Sequence, residues 1–241
     1  MISIVIPAYN EEKRIGKTLK KLSSWTNTEI VVIFDGNDNT PQVVKKFPVK
    51  LLVSKRRLGK GGALKVGIEK SSSERVLLLD ADMPITKEDM EKLTIEKGDL
   101  VLVKRKIIGM PFKRKFLHNA FIFMTKLFFP SLRGLADFQG GVKVLDRRKA
   151  LSIKNELVMQ DFLFDVNLIY AFKRNGYQVK EVEISYVHDE TDSKISRNLL
   201  KVIMLMFLSL VKLRVFYSPL NGVLETKTFM RMQTFILKVL R

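Results

Sequence analysis

Two carboxylates one residue apart, Asp80 and Asp82, stand directly after the apolar run RVLLL of residues 75–79. At the end of a strand such a pair can hold a hard divalent cation while a diphosphate fills the remaining coordination positions. In an ordinary surface loop the same D-x-D pattern is structural. Asp35 is an isolated carboxylate after a second apolar run, EIVVIF. It could accept hydrogen bonds from a nucleobase or ribose, or cap a turn. Residues 58–70, LGKGGALKVGIEK, hold four glycines and three lysines, with Gly59, Lys60, Gly61 and Gly62 leading into a helix in the manner of a phosphate loop. The segment is not a Walker motif, because it has neither the G-x-x-x-x-G-K-[ST] spacing nor the hydroxyl that would meet magnesium. Its glycines either let the backbone run close to a nucleotide, with Lys60 and the start of a helix over residues 63–70 adding positive potential, or serve helix-sheet packing alone.

The elements that would position these groups alternate. Strands are expected over residues 2–7, 29–34, 49–54, 75–79 and 100–104, and the apolar spacing of Ile15, Leu19 and Leu22 predicts a helix within residues 11–24. Apolar strands alternating with helices imply an α/β fold. Its mostly parallel sheet is flanked by helices and binds ligands at the carboxyl ends of the strands. Tyr9, Asn10 and Glu11, then Asp35, then Asp80 and Asp82 all follow strand ends in that way.

Composition narrows the partners. The 241 residues carry 43 Lys and Arg against 25 Asp and Glu, a formal net charge of +18. So large an excess suits an anionic partner: nucleic acid, an acidic membrane surface or a phosphorylated substrate. With no cysteine and two histidines, any metal would rest on carboxylates. MISIVIPAYNEE lacks the basic lead and apolar core of a signal peptide, so a cytoplasmic protein is expected.

Three later segments, residues 112–133, 198–217 and 226–241, mix Phe, Leu, Lys and Arg and hold no acidic residue. Their longest apolar run, residues 202–211, is shorter than the roughly 18 to 20 residues that span a bilayer. They read either as interfacial helices on an anionic membrane or as ordinary helices with a solvated basic face. Alternation of the bases with Phe and Leu, without finger or stacking motifs, disfavours nucleic acid. The expected division is a catalytic domain over residues 1–198 and membrane-surface helices over 199–241.

Taken in order, VIPAYNEE, FDGNDNT, LGKGGAL, LLLDADMP, ADFQGGVKVLDRR, FLFDVNLIY and SKIS resemble the family-2 glycosyltransferases of GT-A fold that load a sugar onto a polyprenyl phosphate. LGKGGAL and the spacing of Asp137, Gln139, Gly141 and Lys143 look closest to the dolichyl-phosphate glucose synthase branch. The resemblance implies a nucleotide pocket of Pro7, Tyr9, Glu11, Asp35, Lys60, Asp80, Ala81, Asp82, His188 and Lys194. It implies a magnesium or manganese ion on Asp80 and Asp82. Asp82, Asp137, Gln139, Asp165 and Lys194 would serve the transfer, with Ser193 in the loop that closes over the phosphates; by charge, Arg114, Arg133 and Arg197 are candidates for the acceptor phosphate or equally for a membrane surface. The implied reaction moves a hexose with inversion from a nucleotide sugar, UDP-glucose first and GDP-mannose next, to dolichyl or polyprenyl phosphate on the cytoplasmic face of the membrane. The chain departs from the family pattern at Phe34, Pro84, Asn167 and His188. A soluble enzyme with a saccharide acceptor, using Asp161 or Asp165 as base, and a non-catalytic nucleotide-sugar binding module are the alternatives.

Overall fold

The computed structural model describes residues 1–82, 86–108, 112–138, 140–187, 199–226, 229 and 231. In chain order the elements are β1 (Ile2–Ala8), α1 (Ile15–Leu22), β2 (Thr28–Phe34), α2 (Thr40–Val44), β3 (Lys50–Val53), α3 (Gly59–Lys70), β4 (Arg75–Leu78) and α4 (Lys87–Ile95). Then follow β5 (Leu100–Ile108), α5 (Phe112–Phe128), β6 (Lys143–Asp146), α6 (Arg147–Ser152), α7 (Phe164–Arg174), β7 (Val179–Val187) and α8 (Leu199–Phe216). The seven strands form one sheet in the order β3-β2-β1-β4-β6-β5-β7. β1 pairs in parallel with β2 and β4, and β2 with β3; β6 runs antiparallel between β4 and β5. Every expected strand is present.

Side-chain alternation assigns the two faces of the sheet. Ile4, Ile6, Ile30, Val32, Leu77, Leu79 and Val144 enter one buried cluster with Ile15, Leu19 and Leu22 of α1, Val44 of α2, and Met90 and Leu93 of α4. The intervening residues, among them Val5, Val31, Ile33, Leu78 and Leu145, are equally buried on the opposite face, where α3 lies against β1 and β2. β1 and β2 are therefore largely apolar on both faces, as a sheet covered on both sides requires. Thr86 caps α4 by accepting the Asp89 N–H at 3.1 Å, with Glu88 and Asp89 in the first turn, where the helix dipole favours negative charge.

One expectation changes. The glycine segment is no loop: α3 already begins at Gly59, so residues expected to approach a ligand form the first turn of a buried helix. Four glycines in twelve residues give poor intrinsic helix propensity, and tertiary contact overrides it. A Cβ on Gly67 would overlap Val5 Cγ1, and one on Gly61 would overlap the Met159 carbonyl and lie 2.7 Å from Phe164 Cβ.

The chain divides into two compact units, Met1–Lys106 with Leu135–Ser185 and Ile107–Gly134 with Tyr186–Arg241. In the second, α5 and α8 pack together, and the Phe128 and Phe207 rings meet edge to face with centroids 6.0 Å apart. Phe116, Phe123 and Leu127 of α5 are exposed, and their spacing of seven and four places them on one helix face. Among the described residues no helix is long and apolar enough to cross a membrane.

Gly67→Ala is expected to overpack the contact of α3 with β1, at a cost of about 1–3 kcal/mol. Thermal unfolding should show the midpoint lowered by several degrees, at roughly 2–4 °C per kcal/mol for a chain of this size. An unchanged midpoint would contradict the close approach.

Candidate active site

The alternation that builds the core also gathers the polar groups. Asp35 continues the β2 series Val31, Ile33; Asp80 continues the β4 series Val76, Leu78; Gly141 and Lys143 precede Leu145 on β6. All belong to the sheet face that α3 covers.

Asp165, one residue inside α7, lies at the centre. Lys143 Nζ donates to its Oδ1 at 2.7 Å and Lys60 Nζ to its Oδ2 at 3.2 Å. Lys60 also reaches Asp80 Oδ1 at 3.0 Å, and Lys143, with a side chain only 2 % exposed, donates to the Gly140 carbonyl. Two ammonium groups and two carboxylates thus neutralise one another where solvation is poor. Burial pushes the Asp165 carboxyl up, but the positive charges of Lys143 and then Lys60 outweigh it and hold the group below its ordinary range. Lys60 answers in kind: burial would lower it, yet Asp165 and Asp80 raise it. A Cβ at Gly141 would collide with Asp80 Oδ2. Only glycine lets the carboxylate lie in this corner.

Beside this cluster the start of α3 is fastened. Asp35 Oδ2 accepts the Leu58 and Gly59 N–H groups, both at 2.8 Å, and also pairs with Arg57. The Gly61 N–H donates to the Gln160 carbonyl at 3.0 Å. Those three N–H groups therefore hold protein oxygens, while Lys60 carries the positive charge at the helix start. Gly59 adopts φ of +72°, a conformation open to glycine, in contact with the Gln160 carbonyl. Arg57 continues over the Tyr9 ring, 3.6 Å from its centroid. Asp35 Oδ1 receives no hydrogen bond among the described residues.

Asp82 is the outer member of the pair, its side chain 51 % exposed, and accepts Arg14 Nη1 at 3.0 Å. Arg14 also pairs with Glu11, Nη2 lying 2.6 Å from Oε2. Between the two carboxylates, the Ala81 carbonyl accepts the buried Thr18 hydroxyl at 2.8 Å. Among the described residues no group of three or more Asp, Glu or His could hold a metal. Asp80 and Asp82 nevertheless fit a divalent cation as a two-carboxylate anchor whose other oxygens come from a bound diphosphate.

Of the residues singled out in the sequence, Pro7, Tyr9, Glu11, Asp35, Lys60, Asp80, Ala81, Asp82, Asp137 and Asp165 all belong to the first compact unit. Asp137 is buried, and its N–H and that of Ala136 both donate to Glu181 Oε1, at 3.1 and 2.8 Å. Arg114 and Arg133 belong to the second unit. Gln139, His188, Ser193, Lys194 and Arg197, with Pro84, lie outside the described residues.

Sequence reasoning missed the partners: Arg14, Arg57 and Glu181, and the part played by Lys143. Lys143 had a signal in its fixed spacing from Asp137; the others depend on contacts between distant segments. Two departures from the family pattern have structural reasons. Phe34 is a core residue, 4 % exposed. Asn167, fully buried, accepts the Val158 and Met159 N–H groups at 2.8 and 3.1 Å and donates to the Glu156 carbonyl at 2.9 Å. A glutamate could supply the acceptors but not the donor.

Asp165→Asn should destabilise the fold by about 3–5 kcal/mol at neutral pH, because two buried ammonium groups lose their shared counter-charge. The carboxyl titrates lower folded than unfolded. Its contribution is therefore complete above the ordinary carboxylate value of about 3.9 and disappears as pH falls through the folded value. Urea denaturation of wild type and variant should show their difference shrinking on acidification; a difference constant from about pH 7 to about pH 2 would refute the assignment.

The arrangement resembles known proteins in sequence and in fold. The chain is 28% identical over 222 residues to the Mus musculus dolichyl-phosphate beta-glucosyltransferase, covering 78% of this chain and 68% of the relative. To the enzyme of the same name from Dictyostelium discoideum it is 29% identical over 215 residues, covering 77% and 66%. The chain thus spans about two thirds of the length of these curated relatives. Glucosyl-3-phosphoglycerate synthase from Mycobacterium tuberculosis superposes with a TM-score of 0.69 at 18% identity, over 89% of this chain and 79% of that one. It has also been crystallised with Mn2+ and UDP. Mannosyl-3-phosphoglycerate synthase from Rubrobacter xylanophilus gives 0.66 at 17% identity, over 89% and 74%. These neighbours establish the GT-A fold. The family described as Glycosyl transferase family 2 matches residues 3–152, more than half of the sequence, and the chain belongs to that family of glycosyltransferases.

Proposed function

We propose that the protein transfers a hexose, with inversion, from a nucleotide sugar to a polyprenyl phosphate of the dolichyl type, with UDP-glucose the favoured donor and GDP-mannose the next. The observation that carries this reading is the double ion pair of Asp165. A sugar hydroxyl as acceptor needs a general base. Both oxygens of Asp165 are occupied by ammonium groups and its proton affinity is lowered, which suits it poorly to that task. Asp161, the other carboxylate considered for it, accepts the Leu163 N–H at 2.9 Å. A phosphate monoester, whose second pKa is about 6, is already largely dianionic at neutral pH and needs no base. The relatives' name, dolichyl-phosphate beta-glucosyltransferase, supports the same acceptor and an inverted linkage.

In this reading the residues divide the work. Tyr9, Pro7, Glu11 and the open Oδ1 of Asp35 line the nucleoside side. Asp80 and Asp82 hold the divalent cation, magnesium or manganese, which when bound offsets the charge of the leaving diphosphate. Lys60 has three N–H donors, one facing Asp80 and one Asp165, which leaves capacity for a phosphate oxygen. Asp137 and Asp165 border the sugar, Asp165 by fixing Lys60 and Lys143. Gln139 and Lys194 are assigned by family pattern to the sugar and diphosphate, His188 by its position to the nucleotide, and Arg114, Arg133, Ser193 and Arg197 are the candidates for the acceptor phosphate. Catalysis then consists of holding two anions in line and stabilising the leaving charge.

The lipid acceptor gives the second compact unit its role. The exposed Phe116, Phe123 and Leu127, on a helix with Lys115 and Lys126 and no acidic residue, suit insertion at the headgroup level of an anionic membrane. The proposed location is the cytoplasmic membrane face. The proposed division places the catalytic machinery within residues 1–198 and gives the attachment to residues 199–241 together with the exposed face of α5.

The deciding assay follows radiolabel from a panel of UDP- and GDP-sugars into polyprenyl phosphate in detergent, with and without divalent metal, beside Asp82→Ala. Label is expected in the organic phase from UDP-glucose, with metal, in the wild type alone. Donor binding without transfer would favour a binding module, and transfer to a saccharide without lipid the soluble enzyme. Gly141→Ala, by driving Asp80 off Lys60, should lower kcat/KM by roughly tenfold or more, about 1.4 kcal/mol of transition-state stabilisation, with unchanged circular dichroism. Retained activity would remove Asp80 from the reaction.

A further inference from the structure

The two carboxylates assigned to the cation are held in different ways. Asp80 meets Lys60, whose ammonium is clamped from behind by Asp165, so this partner is fixed. Asp82 meets Arg14, which precedes the first turn of α1, and the same guanidinium pairs with Glu11. Four residues on, Thr18 holds the Ala81 carbonyl through a buried hydrogen bond of 2.8 Å. Positions 14 and 18 share a helix face, so α1 grips this stretch twice. The Thr18 bond fixes the backbone. The Arg14 contact fixes only a half-exposed carboxylate, and such pairs contribute little to stability.

We infer that Arg14 is a positioning residue that exchanges its partner during binding: its guanidinium holds Asp82 until a divalent cation and a nucleoside diphosphate enter together, and then releases it. The inference rests on the proposal that Asp80 and Asp82 hold the cation. A guanidinium 3.0 Å from Asp82 Oδ2 competes with a metal for that oxygen and repels the metal's charge from the other. Glu11 keeps the group in place after release, and a diphosphate offers the paired oxygens that a planar guanidinium recognises. Cation affinity is therefore low without nucleotide and rises with it. Reciprocity requires the cation to strengthen nucleotide binding by the same factor.

The test is Mn2+ titration, followed by the electron paramagnetic resonance of the free ion, on wild type, Arg14→Gln, Arg14→Lys and Asp82→Asn, each with and without UDP. Arg14→Gln should bind Mn2+ alone more tightly than wild type, by up to roughly fivefold, the limit set by releasing a partly exposed ion pair. It should show a smaller enhancement by UDP, with Arg14→Lys between the two. A purely structural arginine would leave Mn2+ affinity unchanged or weaken it, and that result, with Asp82→Asn abolishing binding, would overturn the inference while sparing the cation site. Asp82→Asn binding Mn2+ as well as wild type would instead overturn the site and the inference with it. Thermal melting of Arg14→Gln within a few degrees of wild type confirms that the folded protein is being compared.

Discussion

Everything at the candidate site depends on a carboxylate that has been taken out of water and given two cations. Asp165 cannot remain ionised in a buried position without compensation, because desolvation of a lone charge costs several kcal/mol. Lys143 and Lys60 supply it, and each brings a different part of the fold: Lys143 from the antiparallel strand β6, Lys60 from the first turn of α3. A helix, a strand and a second helix are tied at one point. Asp80 completes the charge balance, so that the carboxylate assigned to the cation is held by the same tie.

The alternation of side chains along the strands makes this possible. A one-residue slip of β4 or β6 would exchange the faces and send Asp80 or Lys143 into the apolar cluster around α1 and α4. Apolar residues on both faces fix the register, and the chemistry is carried on it. Core packing and polar geometry are here one constraint: Val5 and Asp80 belong to the same sheet face, and α3 must approach it closely enough for Gly67 to meet the first and Lys60 the second.

Much of this was legible in the sequence. The β-branched and leucine-rich runs announced five strands, and the carboxylates after β2 and β4 marked the sheet edge where the polar groups gather. The helical start of α3 was hidden because glycines read as a loop, and only their contacts with Val5, Met159 and Phe164 explain them. Arg14 and Arg57 were lost among 43 basic residues, since nothing local distinguishes an arginine that reaches a carboxylate 68 or 22 positions away. Lys143 carried a spacing signal, yet its burial beneath Asp165 is a property of the folded sheet. Asn167 departs from the family pattern, and its three hydrogen bonds show an amide suited to clasping a turn.

That clasp has a wider consequence. Asn167 holds residues 156–159, and the carbonyls of Met159 and Gln160 fit against Gly61 and Gly59, whose neighbour Lys60 faces Asp80. The segment works as a spacer of fixed thickness between α7 and α3. Resetting the distance between α7 and α3 by redesign would therefore mean moving residues 156–160, the two glycines and Asn167 as a single module, because a change at any one of them leaves the others fitted to the old spacing.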